Sequence, residues 1–221
     1  MAASPPAPAP VPAPPPAPAA GPPTTFASLP AAAAFRVPLA AYLAARPEFG
    51  GVAVGAFVFD GGGRLLLVQR AAHDSMPLRW EVPGGACDAD DATVLHAVAR
   101  ELWEESGLRA TVVGALVPGG GGDRLRNGAA ETTPGVGHVF FTRRGLRMCK
   151  YSFLTEVDGY DVRLDPNEHQ AFLWVTEEEA RARRCGDVAF EYTFREQMLE
   201  VYEAFRLNRE KREREAKQVP A

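Results

Sequence analysis

The chain has 221 residues, longer than one typical domain and short for two, and its formal net charge of -4 supplies no global basic field to attract nucleic acid or an anionic membrane surface. No apolar run is long enough to span a bilayer. The three cysteines, Cys87, Cys149 and Cys185, fit neither a zinc pattern nor a disulfide framework and read as small buried hydrophobes or free thiols.

Of the 20 prolines, 11 fall in residues 1 to 23, interleaved with alanine. Such a stretch buries too little apolar surface to offset its ordering entropy, so residues 1–24 are expected to form a disordered, partly polyproline II tail. Its run PAPPPAPAA reads as plain linker or as a ligand for aromatic grooves. The N-terminus shows no charged n-region, no hydrophobic h-region and no transit-peptide arginines, and the chain is expected to be cytoplasmic. An N-terminal extension at 25–49 follows, with a short helix over Pro38 to Arg46 that Pro47 stops.

Two β-rich runs, GVAVGAFVFD and GRLLLVQRA, are separated by Gly61, Gly62 and Gly63 and predict a hairpin. A short strand, LRWEVPGG, ends in a glycine pair. Residues 92 to 106 have helical periodicity closed by Gly107. RATVVGALVP resumes strand character, residues 118 to 137 form a glycine-rich polar insertion, and a second hairpin turns near Arg143 to Gly145. HQAFLWVT is a further strand. TEEEARARR starts a helix with Thr176 as cap and Glu179 at the reciprocal position.

The last helix carries Phe194, Met198, Val201, Tyr202 and Phe205 on one stripe, which predicts docking on the core. Strands mixed with few helices, without regular βαβ alternation, give an α+β class with helices outside a mixed sheet. The folded domain is expected over 50–207, including the C-terminal helix, with a charged tail at 208–221.

Chemistry concentrates in the helix after the glycine pair. With Glu101 as zero on a wheel advancing about 100° per residue, Glu105 lies about 40° to one side and Glu104 about 60° to the other. Leu95, Val98 and Leu102 sit beside this stripe, so the carboxylates line the edge of the buried face. Crowding like charges at a core boundary raises carboxylate pKa values and costs stability. The pattern therefore fits either a divalent cation held by oxygen ligands or a salt-bridged helix in which Arg100 pairs with Glu104. Gly84 and Gly85 are either a turn or a place where backbone approaches a ligand beside the carboxylates.

The segment GGACDADDATVLHAVARELWEESGL resembles the Nudix box, G-x5-E-x7-R-E-U-x-E-E-x-G-U. Anchored on Arg100, seven fixed positions match without a gap: Arg100, Glu101, Leu102, Glu104, Glu105, Gly107 and Leu108. The first half departs, since the box glutamate falls on Ala92 and the box glycine on Ala86. One extra loop residue, with Asp90 or Asp91 capping the helix, would account for the slip. The resemblance covers about residues 50 to 185 and implies an α/β/α sandwich with a mixed sheet and flanking helices.

It also implies metal-dependent hydrolysis of a phosphoanhydride bond in a nucleoside diphosphate linked to another moiety, with Mg2+, or Mn2+ in its place, as cofactor. The partner is then a small nucleotide-type molecule, with no nucleic acid and no membrane. Glu101 and Glu105 would be the chief metal ligands, assisted by Glu104 and the Gly85 carbonyl, with Arg100 orienting the glutamates. Glu168, before a late strand, would serve as general base or extra ligand, or is a surface charge; His169 beside it reads as structural.

For the rest of the substrate, Arg70 would meet a phosphate or form an ion pair, and Trp80 would stack on a base or pack in the core. Arg143, Arg144, Arg147 and Lys150 read as a polyphosphate attractor or as a solvated hairpin tip. The alternative function is an inactive Nudix-fold nucleotide-binding or regulatory module. The altered first half of the box separates the two: the enzyme reading survives where Asp90 or Asp91 takes the place of the missing glutamate, which in the family is mainly a supporting residue.

Overall fold

Alternating side chains on one strand explain the layering. In β3 (Leu65–Arg70), Leu66 and Val68 enter one hydrophobic cluster and Leu65 and Leu67 the other, so both faces of the strand are buried. The computed structural model describes residues 21–119 and 137–218. The expected tail at 1–24 lies outside them through residue 20, and the glycine-rich insertion does so over 120–136.

The elements run β1 (Ala27–Ser28), a 3-10 turn (Pro30–Phe35), α1 (Leu39–Ala44), β2 (Gly51–Phe57), β3, β4 (Trp80–Glu81), α2 (Val94–Ser106), β5 (Ala110–Val117), β6 (His138–Phe141), β7 (Arg147–Val157), β8 (His169–Val175), α3 (Glu177–Ala182), β9 (Arg184–Cys185), β10 (Val188–Ala189) and α4 (Arg195–Gln218). The long strand β7 organises the larger, mixed sheet. β2 runs parallel along one edge, and β5 and β6 pair antiparallel with it along the other. A smaller antiparallel sheet has the order β4-β3-β8.

The first expected hairpin forms only at its tip, where Phe59 bridges Leu65 antiparallel and Leu66 N–H donates to Val58 O at 3.0 Å. The chain does turn at Asp60 to Arg64, with Asp60 N–H donating to Arg64 O at 2.9 Å, but β2 and β3 then separate into different sheets. The second hairpin forms as expected around Gly145, whose N–H donates to Thr142 O.

One cluster joins α2 (Leu95, Val98, Leu102) to Val52 and Val54 of β2 and to Phe35 and Tyr42 of the N-terminal extension. The extension is thus part of the core: Phe35 meets Tyr151 and Phe153 at ring centroid distances of 4.7 and 5.0 Å, and β1 pairs parallel with β5. The second cluster joins Phe57, Leu65, Leu67 and Trp80 to Val201 and Phe205 of α4. Helices thus flank the sheets on both faces.

The capping box at α3 is present, with Thr176 N–H donating to Glu179 at 2.8 Å and Glu179 N–H to Thr176 at 3.2 Å. The charged segment from residue 208 continues α4 as helix to Gln218. Met198, Val201, Tyr202 and Phe205 of the expected stripe dock on the core, whereas Phe194, just before α4, is exposed and the polar Gln197 and Glu200 are buried beside them.

Candidate functional site

Backbone pairing sets the frame of the site. Residues 83 to 87 lie along β2, with Ala56 N–H donating to Pro83 O, Val54 N–H to Gly85 O and Cys87 N–H to Val52 O, at 2.8, 2.8 and 2.9 Å. A Cβ on Gly84 would stand 2.2 Å from Val54 O, and one on Gly85 would stand 2.7 Å from each carboxylate oxygen of Glu101. The glycine pair therefore answers two crowding limits, β2 on one side and α2 on the other.

The helix begins two residues later than expected, at Val94 rather than Ala92. Thr93 is the cap, accepting from His96 N–H, and neither Asp90 nor Asp91 caps it. Asp91 instead takes Arg100 bidentately, Nε to Oδ1 and Nη2 to Oδ2, both at 3.0 Å. Arg100 also donates to Glu101 (2.9 Å), Glu104 (2.8 Å) and the Ala86 carbonyl (2.9 Å). Five bonds match the five N–H donors of a guanidinium, so its orientation is fully determined.

The three helix carboxylates part company. Glu104 is the exposed one, held by Arg100, while Glu101 and Glu105 are buried. Burial pushes the Glu101 carboxyl up to about 7, with Glu104 and Glu168 adding repulsion against the lowering effect of Arg100. Burial also holds the Glu105 carboxyl well above its ordinary value, opposed by the bond from Gly84 N–H at 2.7 Å and reinforced by repulsion from Glu81, Glu101 and Glu168.

Glu168 is exposed at the rim and reaches the same spot: ligand atoms of Glu105, Glu168 and His169 all lie within 4.8 Å of one another. Hard oxygen donors gathered this closely suit a divalent cation.

Glu81 was missed by the sequence reading. It is buried, paired to Arg70, and lies 3.7 Å from His169 Nε2. Burial pushes Glu81 up, but the nearby His169, Lys150 and Arg70 outweigh this and hold it below its ordinary value. Its sequence signal was a lone carboxylate inside the apolar strand RWEV.

Two substrate-binding expectations meet a different environment. Trp80 is 3% exposed and packs on Phe190 at 5.9 Å between ring centroids, so its ring fills the core. Strand alternation is the reason: Glu81 facing the carboxylates sends its neighbour to the opposite face. Arg70 is tied to Glu81, Asp74, the Ser75 carbonyl (2.6 Å) and the Ser75 hydroxyl (3.1 Å), which makes it a brace of the β3–β4 loop.

Beside the glycine pair a cavity of about 270 Å³ opens between β6, β7 and α4. His138, Phe140 and Phe194 form ring walls, and Lys150, Gln197 and Glu200 bring polar groups. The Gln197 amide nitrogen has no hydrogen-bond partner among the described residues. Burial pushes the Glu200 carboxyl up to about 7 against the lowering effects of Lys150 and Ser152. Lys150 thus faces the cavity, donating to Gln197 at 3.4 Å. Polar residues three apart beside Val201 were the overlooked sign.

Alanine at position 85 tests the frame. Its Cβ would displace the movable Glu101 carboxylate, so Gly85→Ala is expected to fold while losing about 10-fold or more in divalent-cation affinity by calorimetry. Unchanged affinity would show that Glu101 does not hold the ion.

Comparison with known proteins follows the same outline. The family model described as NUDIX domain matches residues 50–197. A "MutT-like protein" of Streptomyces ambofaciens is 31% identical over 140 residues, covering 63% of this chain and 73% of the relative. A "CTP pyrophosphohydrolase" of Escherichia coli (strain K12) is 28% identical over 129 residues, covering 58% and 78% respectively. In fold, the chain is similar to a NUDIX hydrolase from Nitrosomonas europaea, with TM-score 0.50 and 17% identity over 72% of this chain and 89% of that one.

Proposed function

The chain belongs to the NUDIX domain family, and from that membership we propose that it is a metal-dependent pyrophosphohydrolase acting on a nucleoside diphosphate derivative. The observation that carries the reading is the pair of buried carboxylates, Glu101 and Glu105, one helical turn apart against the Gly84–Gly85 backbone. The name of the Escherichia coli relative, CTP pyrophosphohydrolase, agrees with it.

Glu101 and Glu105 would hold the cation, with the Gly85 carbonyl contributing the lone pair that Val54 N–H leaves free. When bound, Mg2+ or Mn2+ there supplies charge to offset the anionic phosphoanhydride. Arg100 keeps Glu101 in register, Asp91 anchors Arg100, and Glu104 acts through that arginine. Glu168, at the exposed edge of the cluster, would serve either as the base that takes the proton of the attacking water or as a further ligand.

The adjoining cavity is slightly below the usual ligand-pocket range of about 300–1,000 Å³ and suits one ring system. We assign it to the nucleobase, between the rings of Phe140 and Phe194 with Gln197 and Glu200 at its edge.

The bidentate Asp91–Arg100 pair favours an active site over an inactive module, because it restores an acidic support where the box sequence slips. A hydrolysis screen of nucleoside diphosphate derivatives with Mg2+, followed by phosphorus NMR, tests this. At least one compound is expected to be cleaved at its phosphoanhydride, and excess EDTA to stop the cleavage. Tight nucleotide binding without turnover of any compound would establish the non-catalytic module instead.

A further inference from the structure

We propose that His169 is a metal ligand, joining Glu105 and Glu168 in a second cation position that selects Mn2+ or Co2+ over Mg2+. The inference rests on the reading of Glu105 as a ligand, which the second position shares. Its carrier is the imidazole itself. His169 is 2% exposed, and neither ring nitrogen has a hydrogen-bond partner among the described residues. Buried polar side-chain atoms nearly always have a partner, because leaving one desolvated and unbonded is costly.

The nearest acid, Glu81, does not fill that role. Its Oε1 lies 3.7 Å from Nε2, beyond hydrogen-bond reach, and Arg70 already holds that oxygen. Towards the cluster, by contrast, one ring nitrogen lies within 4.8 Å of carboxylate oxygens of both Glu105 and Glu168. A nitrogen and two oxygens at such separations need small side-chain shifts to surround one ion.

The backbone places the ring there. His169 opens β8 opposite Arg70, where the β3–β8 register slips between Gln69 and Arg70. Such bulges re-aim side chains beside active sites. One ring nitrogen on a cation leaves the other to donate to a neighbouring carboxylate, the usual support for a metal-bound histidine.

The donor set defines the ion. Mg2+ prefers an all-oxygen octahedron, whereas imidazole suits transition ions, and divalent affinity rises from Mn2+ towards Co2+ at a mixed site. Mn2+ is therefore expected to bind the second position on the order of 100-fold more tightly than Mg2+. With glutamine at position 169 that preference should fall about 10-fold or more.

Pulsed EPR of the full chain loaded with Mn2+ alone reads the ligand directly. Wild-type protein is expected to show echo modulation from an imidazole nitrogen. His169→Gln should abolish it and remove one tightly bound Mn2+ equivalent while a first equivalent remains. Wild-type protein that binds Mn2+ without imidazole modulation overturns the proposal, whether or not the variant folds. Modulation that persists undiminished in a folded His169→Gln also overturns it. The underlying reading of Glu105 fails separately, if Glu105→Gln leaves both Mn2+ equivalents and their affinities unchanged.

Discussion

Glu105→Gln is expected to lower kcat by on the order of 10³-fold while making the metal-free protein more stable. Both effects come from the same carboxylate. Its charge is buried, accepts from Gly84 N–H and faces Glu81, Glu101 and Glu168, an arrangement that suits a cation. Glutamine keeps the shape and one oxygen but removes the charge, so cation binding and turnover fall together.

Stability moves the other way. The folded-state pKa of Glu105 is raised, so the unfolded chain loses its proton first as pH rises. Stability is therefore full in acid and is lost as pH climbs from the ordinary carboxylate range towards the folded pKa. The variant lacks this loss. Its melting temperature in EDTA should exceed that of wild type by about 4 °C at pH 8, with the gap closing towards pH 5. A variant that is both less stable at pH 8 and fully active would dismiss Glu105 as a ligand. The trade of stability for function is common at active sites.

Arg100→Lys should be the second most damaging conservative change, lowering kcat about 100-fold. Arginine here spends all five donors on Asp91, Glu101, Glu104 and the Ala86 carbonyl. An ammonium has three donors and no planar fork, so it cannot grip Asp91 bidentately and hold Glu101 at once. The buried Asp91 carboxylate would lose its matched partner at a cost of about 2 kcal/mol, below the full cost for a buried pair because Arg100 is partly exposed.

Asp91→Ala should reproduce the kinetic loss from the opposite side. In a double-mutant cycle the two changes should then combine for much less than their sum. Additive losses would mean that the pair does not act as one brace.

Some features were legible because they are local. Leu102 beside Glu101 and Glu105 on a helical wheel, Gly107 beyond the last turn, and the Thr176–Glu179 box depend on residues within one or two turns of each other, and they appear as read. The first hairpin is shorter than expected because glycines after a β-run signal a turn but do not say which sheet receives the rest of the next strand. Trp80 stayed open between base stacking and core packing because a two-residue strand shows no alternation from which to infer its face. Gln197 and Glu200 were passed over because a hydrophobic stripe was sought, and the cavity edge lies within that stripe.

By itself, then, the sequence determined the acidic helix, its arginine and the glycines before it, since their spacing is fixed by helix geometry and a short loop. Only the tertiary structure decided that Asp91 would answer for Ala92, because a loop's path to Arg100 depends on its backbone pairing with β2. It alone also gathered Glu81, Glu105, Glu168 and His169 into one cluster. Glu81, Glu105 and the neighbouring pair Glu168 and His169 stand far apart in the chain, and their proximity follows from strands β4, β3 and β8 pairing beside α2, a non-local arrangement that no local period encodes.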